Sequence, residues 1–243
     1  MKINKTNNSN FPYSISIRDK DFNFRSWKMS DKFNYLSVIN KMKLEEHVTT
    51  EMAQSYAKEL RQILVKNCLE NDIPFTNDEY MYLLIAIRSV SVNHEIELTL
   101  ECEKCSNEYP FILDLEKSFK AECSKFEIIS VLNNDEQLIF EMNRINSQDT
   151  YDNYINKSQS PLEALYVDFV MHIQSVNDKI LSSDEKFELF NSYDVSIFEN
   201  IFTEWESQRF KSNNTATIQC PHCKNTETYS VDEVPGFYPQ SWT

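Results

Sequence analysis

Glu97-Leu-Thr-Leu-Glu-Cys102-Glu-Lys-Cys105-Ser-Asn107-Glu-Tyr-Pro-Phe-Ile-Leu-Asp114 is matched in kind, far downstream, by Thr215-Ala-Thr-Ile-Gln-Cys220-Pro-His-Cys223-Lys-Asn225-Thr-Glu-Thr-Tyr-Ser-Val-Asp232. In both stretches alternating apolar residues lead into a Cys-x-x-Cys, an Asn sits two places after the second Cys, and another alternating run follows. The pattern is strand, knuckle, strand, twice. Four thiolates from two such knuckles suffice to surround one Zn²⁺ tetrahedrally. Cys102, Cys105, Cys220 and Cys223 are therefore the expected ligands, and structural Zn²⁺ the expected cofactor. The long segment between the knuckles then becomes an insertion in a zinc ribbon. Zinc knuckles usually carry Gly after the second Cys. Ser106-Asn107 and Lys224-Asn225 stand in its place, and Asn tolerates left-handed backbone best after Gly.

The bulk composition narrows the function classes. The chain has 243 residues, 41% hydrophobic and 26% charged, enough for one large domain or two small ones. Its net charge is −14. Nucleic-acid affinity comes largely from Lys and Arg displacing counterions, so this balance argues against a nucleic-acid partner. The single glycine, Gly236, excludes Gly-rich phosphate loops and dinucleotide fingerprints, which need several. No apolar run approaches the ~18–20 residues of a membrane span. Met1-Lys-Ile-Asn-Lys-Thr-Asn-Asn lacks the apolar core of a secretory signal. A soluble, intracellular protein with no membrane partner is expected, in a reducing compartment that suits metal-binding cysteines.

Along the chain, Phe11 to Trp27 alternates locally and reads as an edge strand or extended arm. Helix signals begin near Ser30. From Glu51 to Leu69 the residues Met52, Tyr56, Leu60, Ile63, Leu64 and Cys68 recur at three- and four-residue steps, an amphipathic helix. Thr76-Asn-Asp-Glu79 has the capping-box form and opens a helix, Tyr80 to Val90, apolar nearly all round and so central. Glu127–Leu132 and Gln137–Met142 flank an Asn133-Asn-Asp turn and predict a hairpin. Ser160-Pro-Leu-Glu163 predicts a capped helix to about Val176. Ser183–Ser192 and Asp194–Phe210 predict two more, the latter with Phe198, Ile201, Phe202 and Trp205 on one face. The expected fold is α+β: a mainly helical domain with a zinc ribbon formed by two distant Cys-x-x-Cys β-knuckles, plus a β-hairpin. The expected division is an N-terminal extended arm (1–30), a helical segment (31–94), a split ribbon (95–118 and 213–234), a hairpin plus helical insertion (119–212) and an aromatic tail (235–243).

The remaining chemistry-bearing residues form no catalytic pattern. Cys68 lies on an apolar helix face and reads as core; Cys123 has no partner pattern and reads as inert. His47, His94, His172 and His222 are scattered, with no His-Glu-x-x-His. Four cysteines close a zinc shell that a catalytic site would keep open. Cys-Pro-His-Cys at 220–223 also matches the active tetrapeptide of thiol oxidoreductases. That chemistry needs Cys220 at a helix N-terminus, where the dipole lowers the thiol pKa, and Lys224 to Val231 alternates as a strand instead. The expectation is that the chain is not an enzyme.

The buried helix running into Ile87-Arg88-Ser-Val, the two knuckles, the stretch Asp168-Phe-Val-Met-His-Ile-Gln-Ser-Val with Asp178-Lys-Ile, and the aromatic Phe237-Tyr238-Pro239 together resemble the baseplate hub proteins of T-even-type contractile-tailed bacteriophages. The likeness covers roughly residues 50 to 240. The first knuckle departs from the usual Cys-Pro-x-Cys-Gly at Glu103 and Ser106. The resemblance implies a late protein made in the host bacterial cytoplasm, either a baseplate hub subunit of the virion tail or a factor for hub assembly. Its implied partners are other hub or tail proteins. Phe11, Tyr13, Phe24, Trp27, Phe237, Tyr238 and Trp242 are candidate contact aromatics, since aromatics are enriched in interface hot spots. The alternatives are a nucleic-acid-binding zinc ribbon and a thiol–disulfide oxidoreductase using Cys220 and Cys223.

Overall fold

The structure is a computed structural model that describes residues 1–18, 20–45, 47–122, 126–133, 136–213, 215–231, 234, 237 and 238. Cys123, the Asn134-Asp135 turn, Asn214, Gly236, Pro239 and Trp242 lie outside the described residues. From the N-terminus the chain runs β1 (Asn4–Lys5), β2 (Tyr13–Ile17), β3 (Lys20–Phe24), α1 (Met29–Leu44), α2 (Thr50–Leu64) and α3 (Asn77–Ser91). It continues through β4 (Glu95–Glu101), β5 (Glu108–Asp114), α4 (Leu115–Ser118), β6 (Ala121–Glu122), β7 (Ile129–Asn133) and β8 (Glu136–Met142). Then follow α5 (Gln148–Ile155), α6 (Pro161–His172), β9 (Ile173–Val176), β10 (Lys179–Ile180), α7 (Ser183–Asn191), α8 (Val195–Gln208), β11 (Lys211–Ser212), β12 (Thr215–Gln219) and β13 (Thr226–Ser230). A mixed α+β fold is observed. The chain divides into two compact units: Met1–Asp72, Asp78–Glu122 and Ser212–Thr243 form one, Ile73–Asn77 and Cys123–Lys211 the other.

The first unit is built on α3. Its residues Tyr82 to Ser89 are buried without interruption, as an all-round apolar helix must be. Arg88 is buried with them: its Nε donates to the carbonyl of Phe237 at 3.0 Å and Nη1 to that of Asn93 at 2.8 Å. Burial lowers the Arg88 guanidinium to about 10. Helix α2 starts where Thr49 Oγ1 accepts from the Met52 N–H at 3.2 Å and ends at Leu64, short of Leu69, in a 3₁₀ turn over Lys66–Cys68. Cys68 is fully buried, and burial pushes its thiol up to about 12, so it is an inert core residue.

The N-terminal alternation makes a meander, β1-β2-β3, rather than a free arm. Ile15, Ile17, Phe22 and Phe24 point inward and are buried, because a strand places every second residue on one face. Trp27 is buried too, with Nε1 donating to the Leu64 carbonyl at 2.7 Å. Arg25 pairs with Asp31 at 2.7 Å, and Asp31 also accepts the Lys28 N–H at 2.7 Å at the start of α1. Phe24, Trp27 and Phe237 therefore pack on their own unit and leave the set of exposed contact aromatics.

The second unit packs helices on a four-stranded antiparallel sheet of order β10-β9-β8-β7. Phe169 of α6 is its centre. The rings of Phe190, Phe198, Phe202 and Trp205 meet it edge-on at 5.1–5.9 Å, the arrangement aromatic quadrupoles favour. Ser160 caps α6 through the Glu163 N–H at 3.1 Å, with Pro161 in the first turn. Helix α6 stops at His172, not Val176. Residues 173–176 form strand β9, paired with β8, and Asn177 and Asp178 turn the chain into β10 at φ 47° and 62°. The predicted hairpin, β7 with β8, is thus one half of a larger sheet. A buried polar set ties the helices: Asp168 accepts Tyr151 Oη at 2.9 Å and faces Arg209 Nε at 3.5 Å. His172 Nδ1 donates to the Asp168 carbonyl at 2.6 Å.

Candidate metal centre

Each knuckle hangs from its own two-stranded antiparallel ladder. Strands β4 and β5 run in register from Glu95↔Asp114 to Glu101↔Glu108. Strands β12 and β13 run from Thr215↔Ser230 to Gln219↔Thr226. The alternation sends Tyr109 and Ile218 inward with Cys102 and Cys220, and Leu100, Phe111 and Tyr229 pack around them. This apolar wall excludes water from one side of the sulfurs.

The two turns are near copies. In the first, the Cys102 N–H donates to the Asn107 carbonyl at 3.2 Å and the Ser106 N–H to the Cys102 carbonyl at 2.8 Å. In the second, the Cys220 N–H donates to Asn225 at 2.8 Å and the Lys224 N–H to Cys220 at 3.0 Å. The left-handed residues are Ser106 (φ 54°) and Lys224 (φ 62°), not the Asn that follows each. The Asn residues serve otherwise. Asn107 Nδ2 points at Cys105 Sγ at 3.5 Å, and Asn225 Nδ2 donates to Glu227 Oε1 at 3.0 Å. Glu227 also accepts the Glu103 N–H at 3.0 Å, so a carboxylate of one knuckle grips the backbone of the other. Hydrogen bonds from Tyr229 and Asn225 hold the Glu227 carboxyl below its ordinary range.

The four predicted ligands meet. All four Sγ atoms lie within 4.8 Å of one another. Cys102 Sγ is 3.6 Å from Cys223 Sγ, and Cys105 Sγ 3.8 Å from Cys220 Sγ. Four sulfurs at ~2.3 Å from one zinc define a tetrahedron with edges of about 3.8 Å, whereas a disulfide needs about 2.05 Å. The sulfurs are free thiols at the spacing of a tetrathiolate shell. Cys102 and Cys220 are buried, and Cys105 and Cys223 half-buried. His222 is exposed and meets Tyr109 edge-on at 6.5 Å, outside the sulfur set. Cys220 ends a strand and opens a turn, so no helix dipole acts on it.

A family model describing T4 bacteriophage base plate protein matches residues 8–238. The chain belongs to this family. No curated protein and no solved structure shows a match. The matched range of the base plate protein takes in both units and all four clustered cysteines. A second grouping, His94, Glu95 and Asp114, also falls within ligand reach. His94 and Glu95 are exposed, and Asp114 is half-buried and engaged as the cap of α4, accepting the Glu116 and Lys117 N–H groups while pairing with Lys117 Nζ at 2.7 Å. Sequence reasoning missed the Glu227 grip. Its only signal was a Glu four residues after Cys223, one acidic residue among 38.

Proposed function

We propose that this base plate protein acts in the hub of the tail baseplate, as a subunit or as a factor that assembles it, and works through protein contacts rather than catalysis. The observation that carries the reading is the closed sulfur cluster. Its donors are all thiols, its spacing is that of a complete tetrahedral shell, and it pins two chain segments that lie 115 residues apart at Cys105 and Cys220. Cys102, Cys105, Cys220 and Cys223 would hold one Zn²⁺, and the ion would supply folding free energy. A shell filled by four protein ligands leaves no position for a substrate, so the centre is a scaffold.

Charge supports a protein partner over a nucleic acid: −14 overall, with Glu97, Glu101, Glu103 and Glu108 on the first knuckle. The thiol oxidoreductase reading loses its physical basis with Cys220 at a strand end. On this reading the protein is made late in infection in the host cytoplasm and meets other hub or tail proteins there. Affinity capture of the tagged protein from infected cells, alongside mass spectrometry of finished tails, tests it. Recovery with hub proteins supports the reading, and presence in finished tails then marks a subunit rather than an assembly factor. Recovery only with outer baseplate or fibre proteins would refute the hub placement.

A further inference from the structure

The charge of this chain is divided unevenly. Residues 1–66 hold 12 of the 24 Lys and Arg but only 7 of the 38 Asp and Glu. Residues 123–211 hold 16 acidic against 7 basic residues. The basic part and the acidic part each carry an apolar feature that their own unit leaves in solvent.

On the basic part it is a face of α1. Met29 and Phe33 are 62% and 64% exposed, one turn apart, so they stand on the same side of the helix. Lys28 and Lys32 immediately precede them. On the acidic part it is a groove of about 520 Å³ between α6 and α8, lined by Leu162, Tyr166, Val195, Phe198 and Phe202 with Glu163 on its rim. Leu162 and Val195 are 74% and 71% exposed. Glu199 follows Val195 by one turn. Its apolar lining suits a helix that lowers two apolar side chains spaced i and i+4, the way amphipathic helices engage apolar grooves.

We infer that this groove receives helix α1 of a second copy of the same chain. Met29 and Phe33 enter between Leu162, Val195 and Phe198, and Lys28 and Lys32 face Glu163 and Glu199. Opposite charge around an apolar centre steers the pairing and fixes its sense. Two copies of a uniformly acidic chain would repel, but here the basic segment of one meets the acidic unit of the next. The two surfaces differ, so copies either exchange α1 and groove reciprocally in a closed pair or pass them on from copy to copy in a larger ring or array. The inference holds whether or not the hub placement does, because it uses neither the sulfur centre nor any other baseplate protein.

The test is sedimentation of the purified, metal-replete chain with two single variants, Phe33→Asp and Leu162→Asp. Both residues are exposed, and unchanged melting curves confirm that folding is intact. The wild type should associate into dimers or larger oligomers as concentration rises, and its apparent dissociation constant should climb about tenfold from ~0.05 to ~0.5 M salt. Each variant alone should be monomeric. An equimolar mixture should form a 1:1 dimer and stop there, since one intact α1 meets one intact groove. A wild type that stays monomeric up to its solubility limit, variants that still associate, or a mixture that stays monomeric would each overturn the inference. So would capture of a different baseplate protein by the groove while the pure chain remains monomeric.

Discussion

Glu227 Oε1 accepts the backbone N–H of Glu103 at 3.0 Å, although 124 residues separate them. The bond joins the two knuckles outside the sulfur shell. It orients one turn against the other, as outer-sphere groups commonly do around metal ligands. Beside it Cys102 faces Cys223 and Cys105 faces Cys220.

Replacing Cys102 or Cys220 by Ser should abolish stoichiometric zinc and lower the melting temperature sharply, because structural zinc is folding free energy for the segments it joins. Cys68→Ser is the contrast: a buried thiol with no metal role should cost only about 1–2 kcal/mol and leave the zinc in place. Metal analysis beside thermal melting reads both outcomes.

Zinc uptake by metal-stripped protein should release protons. Without an ion, the Asn225 N–H pulls the Cys223 thiol down, but desolvation and hydrogen bonding among the four sulfurs push it up more, to about 12. The thiol is therefore protonated at neutral pH and must lose its proton to bind metal. Affinity should fall as pH falls. Titration of zinc into weakly buffered protein with a pH indicator measures the release, and uptake with no protons released would contradict thiolate ligation.

Arg88→Ala should loosen the C-terminal segment. The guanidinium donates to the carbonyl of buried Phe237 and to that of Asn93. Unpaired buried carbonyls cost about 1–3 kcal/mol each, so a loss of about 3 kcal/mol is expected. Brief chymotrypsin treatment should then cut after Phe237, a site that burial and packing protect in the native chain.

Asp168→Ala and Phe169→Ala should each destabilise the unit of residues 123–211 while leaving zinc content unchanged. The first removes the acceptor of the Tyr151 hydroxyl and one of the acidic partners of Arg209, and should cost about 1–3 kcal/mol. The second removes the ring at the centre of four edge-on contacts and should cost about 3–5 kcal/mol. Calorimetry with parallel metal analysis separates the two effects, and loss of zinc in either variant would contradict it.

The sulfur set was legible in the sequence because its signals are local. Alternation on both sides of Cys102-x-x-Cys105 and Cys220-x-x-Cys223 predicts the hairpins, and a turn between strands leaves few ways to point the thiols. The central helix was legible for the same reason: Tyr82 to Ile87 carries no polar residue to expose. What stayed hidden depends on distant partners. Ile173-Gln-Ser-Val176 continues the apolar pattern of α6, and only pairing with Phe140, Glu141 and Met142 of β8 makes it a strand. Asn177-Asp178, two residues that accept left-handed backbone, was the available warning. The alternation from Tyr13 to Phe24 showed strands but not what covers them, so Phe24 and Trp27 read as free when they are core. The set of Tyr151, Asp168 and Arg209 has no sequence signature, since its members come from α5, α6 and the end of α8.

X-ray absorption at the zinc edge, on protein purified without added metal and quantified for zinc per chain, tests the central claim most directly. One zinc per chain surrounded by four sulfurs at ~2.3 Å is the expected result. A nitrogen or oxygen neighbour in the shell, or folded protein that carries no metal, would contradict it.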